Sequence, residues 1–352
     1  EELPFTLAPA QRSALEQVGR YPFCVITGGP GTGKTTIIRA LVQTFRRVGL
    51  EVRLVAPTGR AAKRLSEATG HSASTVHRLL ELRPGQDPAS LDGKKPRELT
   101  GDLFVCDEAS MLDLSLALAL FRALPHGATF VLVGDADQLP SVGPGRVLAD
   151  LIASRMLPVT RLSHIFRQAE GSGIVENAHR ILSGEAPVSA PPGEVRGDFY
   201  FIEADEAQRA QELVVRLLCE RIPKRFGMDP VRDVQVLTPM HKGAAGTVEL
   251  NRALQAALNP TGAELSRGGG RPGFRVGDPV IQTKNDYDLD VMNGDLGRIV
   301  AVDADPKSPS VTCRFDDRET VHEKEALGLL DLAYAMSIHK SQGGEFPAVV
   351  LC

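Results

Sequence analysis

Gly28-Gly29-Pro30-Gly31-Thr32-Gly33-Lys34-Thr35 decides how this chain is read. The stretch fits G-x-x-x-x-G-K-[ST], a loop that cradles the phosphates of a nucleoside triphosphate. Residues 23–27, just before it, read as a short buried strand. Residues 36–48, just after it, have helical spacing, with Ile37, Ile38, Leu41, Val42 and Phe45 on one side. Strand, glycine loop and helix is the context that the pattern requires. Glycines let consecutive backbone N–H groups curl around phosphate oxygens, and the helix N-terminus adds partial positive charge. Lys34 is expected to reach the β- and γ-phosphates, and Thr35 to place its hydroxyl on Mg²⁺. Thr36 closes this cofactor-binding run, which predicts ATP or GTP as ligand.

The 352 residues allow two or three domains with cores of their own. Composition is that of a globular protein, 42% hydrophobic and 24% charged. A net charge of −4 announces no nucleic-acid partner, so any such site is a local groove. Cys24, Cys106, Cys219, Cys313 and Cys352 are scattered with no C-x-x-C pair. That spacing argues against zinc, iron–sulfur clusters and disulfides, and for a reducing cytoplasm. No apolar run is long enough to span a bilayer, and no signal peptide is visible. Tryptophan is absent and aromatics make up 5%, so single-strand binding would lean little on stacking.

Taken in order, a helix is expected to open around Thr6 and Pro9 and to run to about Gly19. Beyond the phosphate loop, residues 51–56 read as a strand, and Pro57-Thr58-Gly59-Arg60 turns into a helix ending near Gly70. A further helix is expected to begin at residue 74. From 84 to 96 the composition shifts to Pro, Gly, Asp and Lys, a surface loop or short hairpin inserted at about 84–98. Residues 103–106 form an apolar strand ending in Asp107 and Glu108. With the loop upstream, Asp107 is expected to hold Mg²⁺ and Glu108 to polarise the attacking water. Residues 129–133 are another buried strand, running into Gly134-Asp135-Ala136-Asp137-Gln138. Strands alternating with helices imply a parallel α/β sheet whose sites lie at the strands' carboxyl ends.

A linker is expected at 157–161, then a second α/β unit with a helix at 206–221 and a strand at 233–238. From 273 to 325 the texture is all-β, with strands expected at 280–283, 297–303, 310–315 and 319–322. That pattern predicts a small barrel inserted in the second α/β domain. The α/β texture resumes at 326–352. The expected domains are therefore 1–160, then 161–272 with 326–352, and the insert 273–325.

Taken together, these motifs resemble those of superfamily 1 helicases. Gly28–Thr35 corresponds to motif I, residues 56–62 to motif Ia, and Asp107-Glu108-Ala109-Ser110 to motif II. Residues 134–140 resemble motif III, Phe166-Arg167-Gln168 motif IV, and residues 337–346 motif V. DEAS, GDADQLPSVGPG, IFRQ and HKSQGGEF point to the RecD-like branch. The resemblance implies two RecA-like domains with an SH3-like barrel in the second. It implies a bacterial, cytoplasmic, nucleoid-associated monomer that moves 5′ to 3′ on single-stranded DNA, opens duplex at single-/double-strand junctions and serves repair or recombination. By resemblance, Gln11 reads adenine, Phe166 stacks on it, Arg167 contacts the γ-phosphate and Glu345 binds the ribose. Gln138 links the γ-phosphate to the DNA groove. Pro57, Thr58, Gly59, Arg60, Thr75, His77, Thr238, His241 and His339 correspond to strand-contacting positions. Phe166 fits a core aromatic equally well.

In the 3′-to-5′ branch, motif Ia carries an aromatic where this chain has Pro57, which agrees with motion by backbone tracking. The family's final motif supplies an arginine finger worth about 10³-fold or more in turnover. No such motif occurs before Cys352, so the chain is expected to be a piece of a longer protein or a slow ATPase. Its start on a helicase domain carries the same expectation for the amino end. Two other readings stay open, an ATP-gated binding module and an RNA helicase of the same superfamily. The insert at 84–98 is the candidate wedge. Removing residues 86–95 is expected to abolish unwinding of a tailed duplex while translocation along a single strand continues. Equal loss of both activities would leave the insert no part in strand separation.

Overall fold

The structure is a computed structural model that describes residues 7–82, 88, 98–164, 171–189, 197–267, 271–286 and 288–352. It divides into two compact units, Glu1–Ile202 and Glu203–Cys352. The candidate insert lies almost wholly outside the described residues, as do Phe166 and Arg167.

In the first unit the strands are β1 (Phe23–Gly28), β2 (Val52–Ala56), β3 (Ala73–Thr75), β4 (Leu103–Cys106), β5 (Thr129–Gly134) and β6 (Val159–Leu162). The helices are α1 (Pro9–Arg20), α2 (Lys34–Arg47), α3 (Gly59–Thr69), α4 (Val76–Leu79), α5 (Leu114–Ala123), α6 (Val147–Ser154) and α7 (Gly173–Leu182). Among the described residues these strands form one parallel sheet in the order β3-β2-β4-β5-β1-β6. Its central strands are near-continuous apolar runs because both faces are covered. Alternate residues sort to the two sides. Ile26, Leu103, Val105, Val131 and Val133 pack with Val18 of α1 and Ile37, Ile38 and Leu41 of α2. Val25, Phe104, Cys106, Phe130 and Leu132 pack with Leu116 and Leu120 of α5 and Leu148 of α6.

Three expectations need correction here. Residues 73–75 form edge strand β3, and helix α4 begins only at Val76. The expected linker at 157–161 is largely β6, hydrogen-bonded to β1 from Val25↔Val159 to Gly28↔Leu162. The first unit runs to Ile202, past the expected boundary at 160.

The second unit opens with α8 (Ala207–Arg216), which passes through a π-helical turn, Leu217–Arg221, into α9 (Ile222–Phe226). The expected helix 206–221 thus continues past its predicted end. Pro223 has no N–H to give the preceding turn, and the Ile222 N–H reaches back to the Leu217 carbonyl in the widened turn. After β7 (Val234–Thr238) and α10 (Thr247–Leu258) come the short antiparallel pair β8 (Glu264–Leu265) and β9 (Phe274–Arg275). Next are β10 (Pro279–Gln282), β11 (Leu296–Asp303), β12 (Ser310–Phe315), β13 (Arg318–Glu323) and β14 (Leu330–Leu332). These five form an antiparallel sheet, β13-β12-β11-β10-β14, so the β insert is completed by a strand beyond residue 325. β15 (Ala335–Ser337) and β16 (Ala348–Leu351) then flank β7 in parallel.

A buried carboxylate ties the insert to its host. Asp278, with no exposed surface, accepts hydrogen bonds from Gln255 Nε2 (2.7 Å), Asn259 Nδ2 (2.7 Å), the Arg275 N–H (2.8 Å) and the Tyr334 hydroxyl (2.8 Å). Four donors meet the charge's hydrogen-bonding needs in place of water. Burial and the Asp278 charge push the Tyr334 phenol well above its ordinary range.

Within the β insert, register places Gln282, Thr320 and His322 on the inward face with Val280, Ile299, Val311 and Cys313. His322 is fully buried beside Phe315, and neither ring nitrogen has a partner within hydrogen-bond reach. Burial lowers its pKa from 6.5, outweighing the Asp286 carboxylate and the Thr320 backbone, which act the other way. A histidine depressed in the fold carries no ionisation penalty above pH 6.5, but below it the unfolded chain takes up a proton that the buried ring refuses, and the fold loses stability. The melting temperature is therefore expected to fall between pH 7 and pH 5.5. His322→Leu should flatten that slope and raise stability at pH 7 by about 1 kcal/mol, since it removes an unsatisfied polar group. Identical pH slopes for the two proteins would contradict this account.

Candidate nucleotide site and strand-contact edge

The carboxyl edge of the first sheet gathers almost every polar residue singled out in that half of the chain. β1 ends at Gly28 and passes into the phosphate loop. A Cβ there would come within 2.7 Å of Thr32 Oγ1 and 2.8 Å of the Leu162 carbonyl, so only glycine fits between loop and β6. Gly31 and Gly33 take φ of 73° and 80°, a region that glycine enters without steric cost. Gly33 caps α2, whose first residue is Lys34. The Lys34 ammonium donates to the Gly28 and Gly29 carbonyls at 2.6 and 3.0 Å, and the Thr32 hydroxyl to the Gly29 carbonyl at 2.8 Å. Pro30 lies in the exposed part of the loop, Thr35 is exposed at the helix start, and Thr36 is half-buried. Gln11 is 2% exposed; its amide oxygen accepts from the Ala8 N–H and its nitrogen reaches the Gly33 carbonyl at 3.4 Å. Placed this way Gln11 braces the loop.

At the ends of the neighbouring strands β4 and β5 stand the carboxylates. Asp107 follows β4, and its pKa is pushed up to about 6 by burial and by Glu108, against the opposing charges of Lys34 and Arg64. Glu108 has φ of 51°, left-handed for a non-glycine residue, and its N–H donates to Asp107 Oδ1 at 2.9 Å. Such backbone costs about 1–3 kcal/mol and gathers at functional sites. Asp135 follows β5, is 5% exposed, and is raised by burial, with Lys34 among the charges drawing it down. Gln138 is exposed, and its side-chain oxygen lies 3.5 Å from the Ser110 hydroxyl. Asp135 and Arg64 belong to this site and had no role in the sequence reading. Asp135 was visible as a second acid after a buried strand, whereas Arg64 gave no signal because only the fold brings α3 toward β4.

On the other side of β4, β2 and β3 end in two helix starts. Thr58 caps α3, its hydroxyl accepting from the Ala61 N–H at 3.2 Å, and Thr75 caps α4, accepting from the Arg78 N–H at 3.0 Å. Ala56 pairs with Thr75, so the two capped turns are neighbours. Pro57, Gly59, Arg60 and His77 lie within them, all half-buried. Burial lowers the His77 pKa, and the Asp113 carboxylate opposes that.

In the second unit, His241 is exposed with Nδ1 2.9 Å from the Thr247 hydroxyl, and His339 and Glu345 are exposed in the segment after β15. Thr238 departs from expectation. It is 1% exposed and donates its hydroxyl to the Ala245 carbonyl at 2.7 Å, so it fixes the turn that presents His241.

A phosphate loop, a strand-end Asp-Glu pair and a parallel sheet define a P-loop nucleoside triphosphatase. Residues 6–194 match the family described as AAA domain, and residues 250–315 match the ATP-dependent RecD-like DNA helicase SH3 domain. The chain belongs to the RecD-like helicases of superfamily 1. It is 40% identical to the ATP-dependent RecD2 DNA helicase of Deinococcus radiodurans over 98% of its own length and 45% of that protein's. It is 32% identical to the RecBCD enzyme subunit RecD of Mycolicibacterium smegmatis, over 97% of this chain and 65% of that one. The chain thus spans between about half and two thirds of these relatives. The fold also matches the Pif1 helicase from Bacteroides in complex with ADP-AlF3 and single-stranded DNA. That match has a TM-score of 0.58 at 18% identity and covers 99% of this chain and 86% of that one.

The family implies a nucleotide used with Mg²⁺, and the residues present fit both. The glycine loop leaves no Cβ in the way of phosphates, and Lys34, Asp107 and Asp135 converge beside it. Among the described residues no cluster of three or more His, Cys, Asp and Glu could hold a metal. Mg²⁺ takes one or two protein groups and completes its shell with waters and phosphates. Among the described residues no helix is long and apolar enough to cross a membrane. Because Asp107 must be ionised to hold the cation, the Mg²⁺-dependent part of nucleotide binding is expected to weaken below about pH 6. The loss should approach about tenfold per pH unit. Fluorescent-nucleotide titrations from pH 5 to 7.5 measure it, and a flat profile would place the cation elsewhere.

Proposed function

We propose that this chain is the motor portion of an ATP-driven DNA helicase that moves 5′ to 3′ along single-stranded DNA and opens duplex at junctions. The observation that carries the reading is a shared edge. The phosphate loop and the acids sit at the ends of β1, β4 and β5, and the capped turns sit at the ends of β2 and β3 of the same sheet. Asp107 and Glu108, at the end of β4, are therefore one strand's width from the capped turn after β2.

In this reading Lys34 leaves the Gly28 and Gly29 carbonyls for the β- and γ-phosphates, and Thr35 with Asp107 holds Mg²⁺. Held there, the metal would neutralise charge that develops on the phosphates. Glu108, fixed in its left-handed turn, takes the proton of the attacking water. Gln138 senses the γ-phosphate, and Ser110 hydrogen-bonds to it. Arg167, Phe166 and Glu345 complete the nucleotide contacts by family resemblance. Thr58, Gly59, Thr75 and His77 offer N–H groups, hydroxyls and an imidazole to backbone phosphates, contacts that carry no base sequence. His241 and His339 play the same part in the second unit. The chain is expected to work as a cytoplasmic monomer without zinc or iron–sulfur centres.

Phosphate-directed contacts discriminate sugars poorly unless a 2′-hydroxyl is touched, which keeps RNA as a second substrate class. Steady-state ATP turnover with oligo-dT, with oligo-rU and with neither is the test, with Lys34→Ala as control. DNA is expected to stimulate turnover at least about tenfold, and Lys34→Ala to abolish it. Tight DNA binding without turnover would make this chain a nucleotide-gated clamp, and equal stimulation by RNA would broaden the substrate.

A further inference from the structure

Helices α2 and α3 lie side by side on one face of the first sheet, where Leu65 of α3 packs in the same cluster as Ile37, Ile38 and Leu41 of α2. Both run the same way. α2 starts beyond the carboxyl end of β1 and stops before the amino end of β2, and α3 does the same between β2 and β3. The pair therefore crosses from the strand-contact edge of the sheet to its opposite edge.

Its charge is one-sided. Residues 34–80 hold nine lysines and arginines against two acids, in a chain whose net charge is −4. On α2, Arg39, Arg46 and Arg47 are exposed, and their i, i+7 and i+8 spacing puts them on one face. On α3, Arg60, Lys63 and Arg64 share a face by the same rule. The 14 residues of α2 rise about 21 Å. Duplex DNA carries one phosphate charge per about 1.7 Å of its axis, so a basic stripe of that length faces several of them.

At the far edge the stripe opens into a cleft of about 310 Å³, walled by Arg46, Glu51, Arg53, His71, Ser72 and Ser74. β3 pairs with β2 only from Leu54 onward, so Val52 and Arg53 run past it and leave a notch in the sheet edge. Local bonds hold the notch in shape. His71 Nε2 donates to the Val52 carbonyl at 2.9 Å, the Ala73 N–H to the Ser66 hydroxyl at 2.8 Å, and Arg53 Nε to the Thr100 carbonyl at 3.2 Å. The Arg53 guanidinium also meets the Glu51 carboxylate at 2.6 Å, with the two side chains 41% and 50% exposed. An ion pair so open to water is weak, and a phosphate can take the carboxylate's place.

We propose that this stripe and its cleft bind the backbone of duplex DNA, the unopened arm of a junction. The inference rests on the motor reading given above for which DNA reaches the face: α3 begins at the strand-contact turn Gly59-Arg60, and the stripe leads away from it. A strand held along the carboxyl edge does not cover a face running at right angles to that edge. An acidic peptide would use the cleft alone, whereas a duplex spans cleft and stripe together. The β insert offers no such face, since residues 279–332 hold twelve acids against six lysines and arginines.

The test is binding of the full chain to a labelled blunt duplex of about 20 base pairs and to labelled oligo-dT, each titrated with NaCl. The proteins are wild type, the double variant Arg46→Gln with Arg47→Gln, Arg53→Gln and Glu51→Gln. Each phosphate contact adds about −0.9 to the slope of log affinity against log salt. The double variant should flatten the duplex slope by about 2 and weaken duplex binding about tenfold, and Arg53→Gln should flatten it by about 1. Glu51→Gln removes the competing carboxylate and should tighten duplex binding about threefold. Oligo-dT affinity and oligo-dT-stimulated ATP turnover should stay at wild-type values. Arg46 and Arg47 are exposed, so the double variant decides the matter even if Arg53→Gln does not fold. Duplex slopes that overlay wild type, with stimulated turnover intact, overturn the inference and leave the motor reading standing. Equal losses for duplex and oligo-dT overturn it by assigning the stripe to the tracked strand. Polyglutamate that binds wild type as tightly as duplex does, and fails to bind the double variant, overturns it in favour of an acidic protein. Oligo-dT that fails to stimulate wild-type turnover overturns the motor reading, and the duplex slopes still decide the face.

Discussion

Too much negative charge in one place is the constraint around which the first unit is arranged. Asp107, Glu108 and Asp135 come together at the ends of β4 and β5, and Lys34 acts on both aspartates. Lys34 and Arg64 draw Asp107 down without overcoming its burial. The Asp107 carboxyl responds by moving up to about 6, the behaviour of an acid that lacks a full counter-charge in a half-buried place. Mg²⁺ bound with a nucleotide supplies what is missing. The Phe23–Phe121–Phe130 edge-to-face cluster and the glycine seat at position 28 help bring these strands to a common edge.

Much of this was legible in the chain itself. The phosphate loop, the strand ending in Asp107 and the glycine-bounded helix α3 follow from strong local signals, because buried parallel strands are plain apolar runs and glycine marks left-handed turns. What escaped reading depends on partners distant in sequence. Residues 73–75, Ala-Ser-Thr, have no apolar pattern and become a strand only because the edge of β2 is open to them. Residues 159–162 looked like a joint until β1 claimed them. Thr238 and Gln11 carry the right side chains at the right motif positions, yet burial commits their polar atoms to the protein's own backbone. Arg64 and Asp113 act through space on Asp107 and His77, and no one-dimensional spacing encodes that.

The second unit solves a different problem, the grafting of an antiparallel sheet between two parallel strands. Hydrophobic packing joins the two parts, with Leu254 and Val280 in one cluster. Packing alone does not fix an angle between them. Asp278 does, since α10, the β9–β10 turn and the strand leading into β15 each give it a donor. Asn251 repeats the idea one step along by bonding both backbone groups of Ala335. The β insert and the segment carrying His339 are therefore held to a common frame.

The distribution of thiols has a practical consequence. Cys24, Cys106 and Cys313 are buried, and Cys352 is half-covered. Cys219 alone is exposed, on the outer side of the π-helical turn. Burial and Glu220 raise its pKa, so it stays largely in the unreactive thiol form at neutral pH. At mildly alkaline pH it becomes the natural handle for a single dye or cross-linker, so a reporter can be attached to the second unit without engineering a cysteine-free background.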